Sequence, residues 1–226
     1  MDETLISKKS TGYIVKFLVM YRAFIRLCFC LPPAMLILIP LSKIKRWFDG
    51  RTLAVRIMYF LAFRGLSVER AERIAREKLP PAYVSDLQDP ATTAVLEADE
   101  AVILTASPSF MARPWLGQFL GVTAANVYGA ELEVANGRFT GRTGDLPIGE
   151  KKVELLKDCT AASAPDTETT GYGDHPTDVP FLQKCSRGVL VHALPEEVAA
   201  GCAFEPASAL DEARIATLVE ARQAAA

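Results

Sequence analysis

The chain has 226 residues, half of them apolar and 23% charged. That is enough for one well-packed domain and short for two independent enzymes, and it excludes a disordered chain, a collagen-like repeat and a polytopic membrane protein. The net charge of −2 hides a division: residues 1–78 hold 15 Lys and Arg against 6 Asp and Glu, and the remainder holds 10 against 21. The basic part is also the apolar part and lacks interleaved glycine or RNA-type aromatic motifs. Nucleic acid is therefore not an expected partner; a phosphorylated substrate or an anionic membrane surface fits better. Five scattered cysteines with no CxxC make neither a disulfide framework nor a zinc site, and two histidines exclude a multi-His metal centre.

In chain order, Met1–Ile6 is short and polar-flanked, unlike a signal peptide. Residues 13–63 have helical periodicity, with Tyr13, Phe17, Tyr21, Phe24 and Leu27 at three- and four-residue steps. From Leu27 to Ser42 no residue is charged. As a helix this stretch would run about 24 Å, short of a hydrocarbon core of roughly 30 Å, and Pro32, Pro33 and Pro40 interrupt it. It reads as buried cap helices, as a membrane-surface or re-entrant segment, or as a span. Arg22, Arg26, Lys43, Lys45 and Arg46 around it suit a lipid interface.

Ser67 caps a further helix with Arg70, Arg73 and Arg76 on its polar side, and Pro80-Pro81 is expected to end it. Ala101–Thr105 is a short apolar strand, after which Ser107-Pro108 opens a helix as cap and first-turn proline. Glu131–Gly141 reads as a hairpin turning at Asn136-Gly137. Lys151–Lys157 is helical, Thr169–Gly173 a strand, Asp178–Cys185 a helix and Gly188–His192 a strand. This alternation predicts an α/β fold, a doubly wound and mainly parallel sheet. The tail from Pro195 is rich in Ala and Glu, with one amphipathic helix expected at Leu210–Arg222.

In such sheets ligands bind beyond the carboxyl ends of the strands. Thr105 ends one strand. Asp174 follows another, with Asp178 four residues on, in GYGDHPTD; Lys151 and Lys152 open the helix before it. Singly, these residues read as a helix-start hydroxyl, a solvated lysine face and a chance pair of carboxylates. Their order, hydroxyl then lysine then paired carboxylates, is what the haloacid-dehalogenase-like (HAD) phosphatases share.

The resemblance extends over roughly residues 1–195. The stretch from Ile57 to Leu120, with VILTASPSFMARPWLGQFL, resembles the N-terminal HAD-like domain of the land-plant glycerol-3-phosphate acyltransferases of glycerolipid and cutin synthesis. So do VYGAELEVANGRFTG, GEKKVELLK and GYGDHPTDVPFLQKCSRGVLV. That domain is similar to phosphoserine phosphatases. The HxxxxD acyltransferase motif is absent from this sequence, since Pro180 stands five positions past His175 and Glu197 five past His192.

The resemblance implies a HAD core at about 95–195, a helical cap at about 8–90 and a separate tail at 196–226. It implies that Thr105 binds the transferring phosphoryl group and that Lys152 neutralises its charge. It also implies that Asp174 binds Mg²⁺, with Asp178 as ligand or orienting partner. In the family's first motif, DxDxT, the first Asp is the nucleophile and the second the general acid and base. Asp2 matches the second Asp and Thr4 the threonine, so the nucleophile falls one position ahead of Met1, and the strand preceding it is expected to be missing. Two readings follow: Met1 is an internal residue of a longer chain, or the protein is a pseudo-phosphatase. The 226 residues as written are expected not to hydrolyse phosphate monoesters.

The expected function is that of a phosphatase domain for a lipid-like phosphate monoester of the lysophosphatidic acid type, membrane-associated and facing the cytoplasm. The alternatives are a non-catalytic membrane-associated module and a soluble cytoplasmic phosphoserine-type phosphatase.

Overall fold

Helices gather the apolar N-terminal half, and short parallel strands alternate with helices after residue 100. The computed structural model describes residues 1–26, 28, 50–160, 167–199, 201–211, 213–217 and 220. Except for Cys28, the uncharged stretch Leu27–Ser42 lies outside these residues.

The first helix, α1 (Ser10–Tyr21), buries Tyr13, Ile14, Phe17 and Leu18, an i, i+1, i+4, i+5 stripe. It ends at Arg22, whose φ of 63° lies in the left-handed region. The helical period expected to run through 13–63 is therefore broken here. No Gly or Pro marks the break in the sequence. Helix α2 (Gly50–Phe63) follows, then α3 (Val68–Glu77), whose Ser67 cap accepts the Arg70 N–H and whose Ala71, Ile74 and Ala75 are buried. Pro80-Pro81 does not end α3, which stops at Lys78; it opens α4 (Pro80–Val84), where a missing N–H is tolerated in the first turn.

A two-residue strand, β1 (Gln88–Asp89), precedes α5 (Ala91–Glu97). Next come β2 (Ile103–Pro108), α6 (Ser109–Trp115) and β3 (Val127–Ala130), and β3 pairs in parallel with β2. Strand β2 runs through Ser107-Pro108, and α6 starts only at Ser109 with no side-chain cap. The hairpin is formed by β4 (Leu132–Ala135) and β5 (Arg138–Thr143). Asn136 and Gly137 turn it with φ of 51° and 70°, the positive pair that a two-residue turn of matching twist requires.

After α7 (Glu150–Thr160), β6 (Thr170–Gly173) leads into a 3₁₀ turn and α8 (Val179–Leu182). Strand β7 (Arg187–Leu190), α9 (Glu196–Ala199) and β8 (Ala203–Phe204) complete a three-stranded parallel sheet in the order β6-β7-β8. Finally β9 (Ser208–Ala209) pairs antiparallel with β1. Of the helix expected at Leu210–Arg222, residues 213–217 are helical.

Among the described residues no ladder joins the β2-β3 pair to the β6-β7-β8 sheet. Residues 1–4 lie between the two, and Met1–Ile6 makes only isolated bridges, Asp2 to Ile6 and Ile6 to Leu87. The main core is aromatic: Tyr13 stacks on Tyr83 at 4.0 Å, Tyr83 on Trp115 at 5.0 Å, and Phe110 meets both Phe17 and Phe63 edge to face. A smaller cluster of Val153, Val179, Phe181, Leu182 and Leu190 holds α7 and α8 against β6 and β7. Among the described residues no helix is long and apolar enough to cross a membrane.

Candidate active site

Two strand ends and the N-terminal segment meet at one place. From the first strand end, Ser107 projects its hydroxyl to Asp2 Oδ1 at 3.1 Å and lies 2.5 Å from the Ser10 hydroxyl. Ser10 opens α1, and its backbone N–H donates to Asp2 Oδ2 at 2.7 Å; its hydroxyl also donates to that oxygen. The Asp2 carboxylate thus takes the first free N–H of a three-turn helix, where the dipole favours negative charge. Burial nonetheless pushes the Asp2 carboxyl above the usual carboxylate range, and the hydrogen bonds from Ser10 and Ser107 oppose that shift without reversing it.

The second strand end supplies the paired carboxylates. Thr4 donates its hydroxyl to Asp174 Oδ1 at 2.7 Å. Asp178 is 4% exposed and has both oxygens engaged: Oδ1 with Lys152 Nζ at 2.6 Å, and Oδ2 with the backbone N–H groups of Asp174 and His175, each at 3.3 Å. Burial alone would raise the Asp178 pKa, but the charge and hydrogen bond of Lys152 outweigh it and hold the carboxyl below its ordinary value. Gly173 makes this packing possible, because a Cβ there would sit 2.7 Å from Asp178 Cβ. His175 turns into its own loop, where its Nδ1 accepts the Thr177 N–H at 3.2 Å and caps the turn Pro176–Asp178.

All five residues singled out in the sequence come to this region, in two different ways. Asp2, Asp174, Asp178 and Lys152 lie near enough to Met1 for each charge to act on its nitrogen. Thr105 stands one step back: it is 3% exposed, and its Oγ1 accepts the Ser107 N–H at 3.1 Å. Ser107, read in the sequence as a helix cap, is the hydroxyl that faces Asp2. Ser10 carried no chemical signal at all; its only mark is a Ser-Thr pair at the start of a helical period. Lys151 lies on the solvent face, bound to Glu154 and Asp145 at 2.8 and 3.2 Å.

Among the described residues no three His, Cys, Asp or Glu side chains converge into a metal cage. The donor set suits Mg²⁺ of another kind, held by one or two carboxylates while water and substrate phosphate complete the shell. Among the described residues Asp174 is engaged through Oδ1, by Thr4, and its Oδ2 would hold the cation. Asp178 is committed to Lys152 and the backbone, and so orients its neighbours.

A family model for haloacid dehalogenase-like hydrolases matches residues 1–183. The chain belongs to that family. It is 32% identical over 159 residues to the glycerol-3-phosphate acyltransferase RAM2 of Petunia hybrida. That match takes in 69% of this chain but only 32% of the relative, so the chain spans about a third of the acyltransferase's length.

Among solved structures, a Bordetella pertussis Tohama I protein described as of unknown function superposes with a TM-score of 0.66. The two are 23% identical, and the match covers 90% of this chain and 94% of that one. A probable phosphoserine phosphatase from Vibrio cholerae gives 0.62 at 15% identity, over 96% of this chain and 63% of its own. A substrate-bound phosphoserine phosphatase gives 0.59 at 16% identity, over 90% and 89%. These likenesses show the fold of a HAD hydrolase: parallel strands between helices.

Proposed function

We propose that this HAD-like phosphatase domain acts on a lipid-like phosphate monoester of the lysophosphatidic acid type. The observation that carries the reading is the Asp2 carboxyl. It is held by Ser10 and Ser107 with a raised pKa, in the same site as the Asp174, Asp178 and Lys152 group. Burial that raises the pKa of a carboxyl favours its protonated form, which suits a general acid.

In this mechanism a nucleophilic carboxylate attacks phosphorus and the bond from phosphorus to the leaving oxygen breaks. Asp2 gives its proton to that oxygen. Asp2 then takes a proton from water as the water attacks the acyl phosphate, which releases inorganic phosphate and restores the carboxylate. Thr105 and Ser107 bind the phosphoryl oxygens. Lys152, fixed by Asp178, offsets their charge. Asp174 would hold Mg²⁺, which when bound supplies further charge neutralisation at the phosphoryl group. In the DxDxT frame the nucleophile falls one position ahead of Met1.

The lipid character of the substrate is supported by the basic, apolar N-terminal half and by the named substrate of the Petunia relative, a glycerol phosphate. The same features support residence at a membrane surface facing the cytoplasm. The test measures phosphate release from lysophosphatidic acid, phosphoserine and an aryl phosphate, with Mg²⁺. It uses the 226-residue chain and a chain carrying Asp ahead of Met1. Turnover of lysophosphatidic acid by the extended chain, lost in its Lys152→Ala and Asp174→Ala variants, is expected. Equal turnover of phosphoserine would favour a soluble phosphoserine-type enzyme. Inactivity of both chains would leave a non-catalytic membrane module.

A further inference from the structure

A second basic site lies at the opposite end of α1. Between that end and α3 is a cavity of about 410 Å³ whose charged walls are Arg22, Arg70, Arg73 and Lys78 against the single acid Glu77. Its α1 wall, Met20, stands ten residues along the helix from Ser10, roughly 15 Å at 1.5 Å per residue, so it is not part of the catalytic cluster.

Three observations show how it is built. Arg70 is fixed in place: its guanidinium lies 4.4 Å from the centre of the Tyr21 ring and donates to Tyr21 O at 2.8 Å. Arg22 holds the left-handed position that closes α1, where glycine is usual and an L-residue is strained by roughly 1–2 kcal/mol. Arg22, Arg73 and Lys78 form no ion pair with a carboxylate among the described residues. Met20 and Ile74 give the cavity an apolar wall. On α1 and just after it the chain exposes Val15, Val19, Phe24 and Ile25, at 41, 49, 56 and 74% of their surface.

We propose that this cavity receives the phosphate of an anionic phospholipid headgroup in a bilayer, with Phe24 and Ile25 entering the acyl boundary beside it. The charge balance of the walls calls for an anion. The apolar collar distinguishes a headgroup in a bilayer from a free phosphometabolite, which would leave those side chains in water. This deepens the reading that the protein works at a membrane surface, and rests on it; it does not depend on hydrolysis.

The experiment is co-sedimentation of the 226-residue protein with vesicles of phosphatidylcholine alone and with a third of phosphatidylserine. The wild-type chain is expected to pellet with the acidic vesicles and not with the neutral ones. The R73Q/K78Q variant should bind the acidic vesicles about 30-fold more weakly, from the attraction of two basic residues to an anionic leaflet. R142Q/K184Q removes two exposed charges elsewhere and should bind within about twofold of wild type. Equal loss in both variants would overturn the proposal, because diffuse charge would then suffice. Equal binding to neutral vesicles would overturn it too, as would displacement from the vesicles by millimolar inorganic phosphate. Phosphate release by the chain extended ahead of Met1 is read separately, so failure of the lipid site and failure of the phosphatase reading are distinguishable.

Discussion

Lys152 Nζ lies 2.6 Å from Asp178 Oδ1, with side chains 13% and 5% exposed, and this ion pair ties the start of α7 to the turn after β6. Both charges are largely out of water, so each depends on the other. Replacing Lys152 by Met should destabilise the protein by about 3–5 kcal/mol, because it strands a buried carboxylate. Lys152→Met combined with Asp178→Asn should recover a large part of that loss. Urea denaturation of the four proteins gives the coupling directly. The pH dependence has a definite sign. A carboxylate held below its ordinary value contributes stability above its unfolded pKa, near 4, and that contribution is lost as pH falls through the folded value. The gap between wild type and Lys152→Met should therefore narrow as the pH drops below about 4. A gap constant with pH would mean the pair is not what the substitution breaks.

Asp2 behaves in the opposite sense. Its raised pKa means that folding is most favoured while Asp2 is protonated, and that advantage disappears as pH rises through the folded value. Asp2→Asn keeps an acceptor for the Ser10 N–H and offers its amide to Ser107 Oγ. The variant should melt higher than wild type near neutral pH and converge with it below about pH 4. In the chain carrying Asp ahead of Met1 it should abolish turnover. A lower melting temperature at neutral pH would show that the Asp2 charge stabilises the fold.

Asp86 joins Lys8 at 2.7 Å, Lys16 at 3.7 Å and the Tyr13 hydroxyl at 2.8 Å. The two lysines are 56% and 38% exposed, so their pairing contributes little. Tyr13 is fully buried and stacked on Tyr83, and its hydroxyl would be left without an acceptor. Asp86→Ala should therefore cost about 1–3 kcal/mol, and Asp86→Asn, which keeps an acceptor, clearly less. Thermal unfolding of both variants checks the order.

Gly173 marks a close approach: a Cβ would meet Asp178 Cβ at 2.7 Å and Asp178 Oδ2 at 3.2 Å, with Leu182 also at 3.2 Å. Gly173→Ala should push the turn away from β6 and lengthen the Lys152–Asp178 contact. The expected loss is about 1–3 kcal/mol, as for overpacking. A crystal structure of the variant with that contact unchanged would refute the account.

Local signals read well in this sequence. Asn136-Gly137 specified its hairpin, and the four-residue step from Asp174 to Asp178 placed both acids on one turn, because such patterns depend only on nearby backbone. That Thr4 and Asp174, 170 residues apart, serve one site was legible only through family resemblance, and the hydrogen bond between them was not legible at all. Where two local meanings competed, the tertiary partner decided between them. Ser107 before Pro108 is a fair helix cap, yet Asp2 takes its hydroxyl and β2 continues through it. Pro80-Pro81 both stops and starts helices, and here it starts one. The break at Arg22 had no signal, since its left-handed backbone belongs to a residue type that rarely adopts it.

Thr105 holds the Ser107 N–H while Ser107 faces Asp2, and substitution separates the two. Thr105→Val removes the acceptor of the Ser107 N–H, and Ser107 is only 1% exposed, so about 1–3 kcal/mol of stability should be lost. Ser107→Ala leaves that backbone contact intact and relieves the close approach to the Ser10 hydroxyl, so the fold should hold. It strips Asp2 Oδ1 of a donor that favours the charged form, so the Asp2 carboxyl should move further up. In the chain carrying Asp ahead of Met1, the alkaline limb of the rate profile for phosphate release should then shift to higher pH, where Asp2 still holds the proton it donates. The Thr105 variant should instead raise KM for the phosphate monoester while leaving that limb in place. An alkaline limb that moves with Thr105→Val and not with Ser107→Ala would show that Thr105, and not Ser107, governs the Asp2 proton.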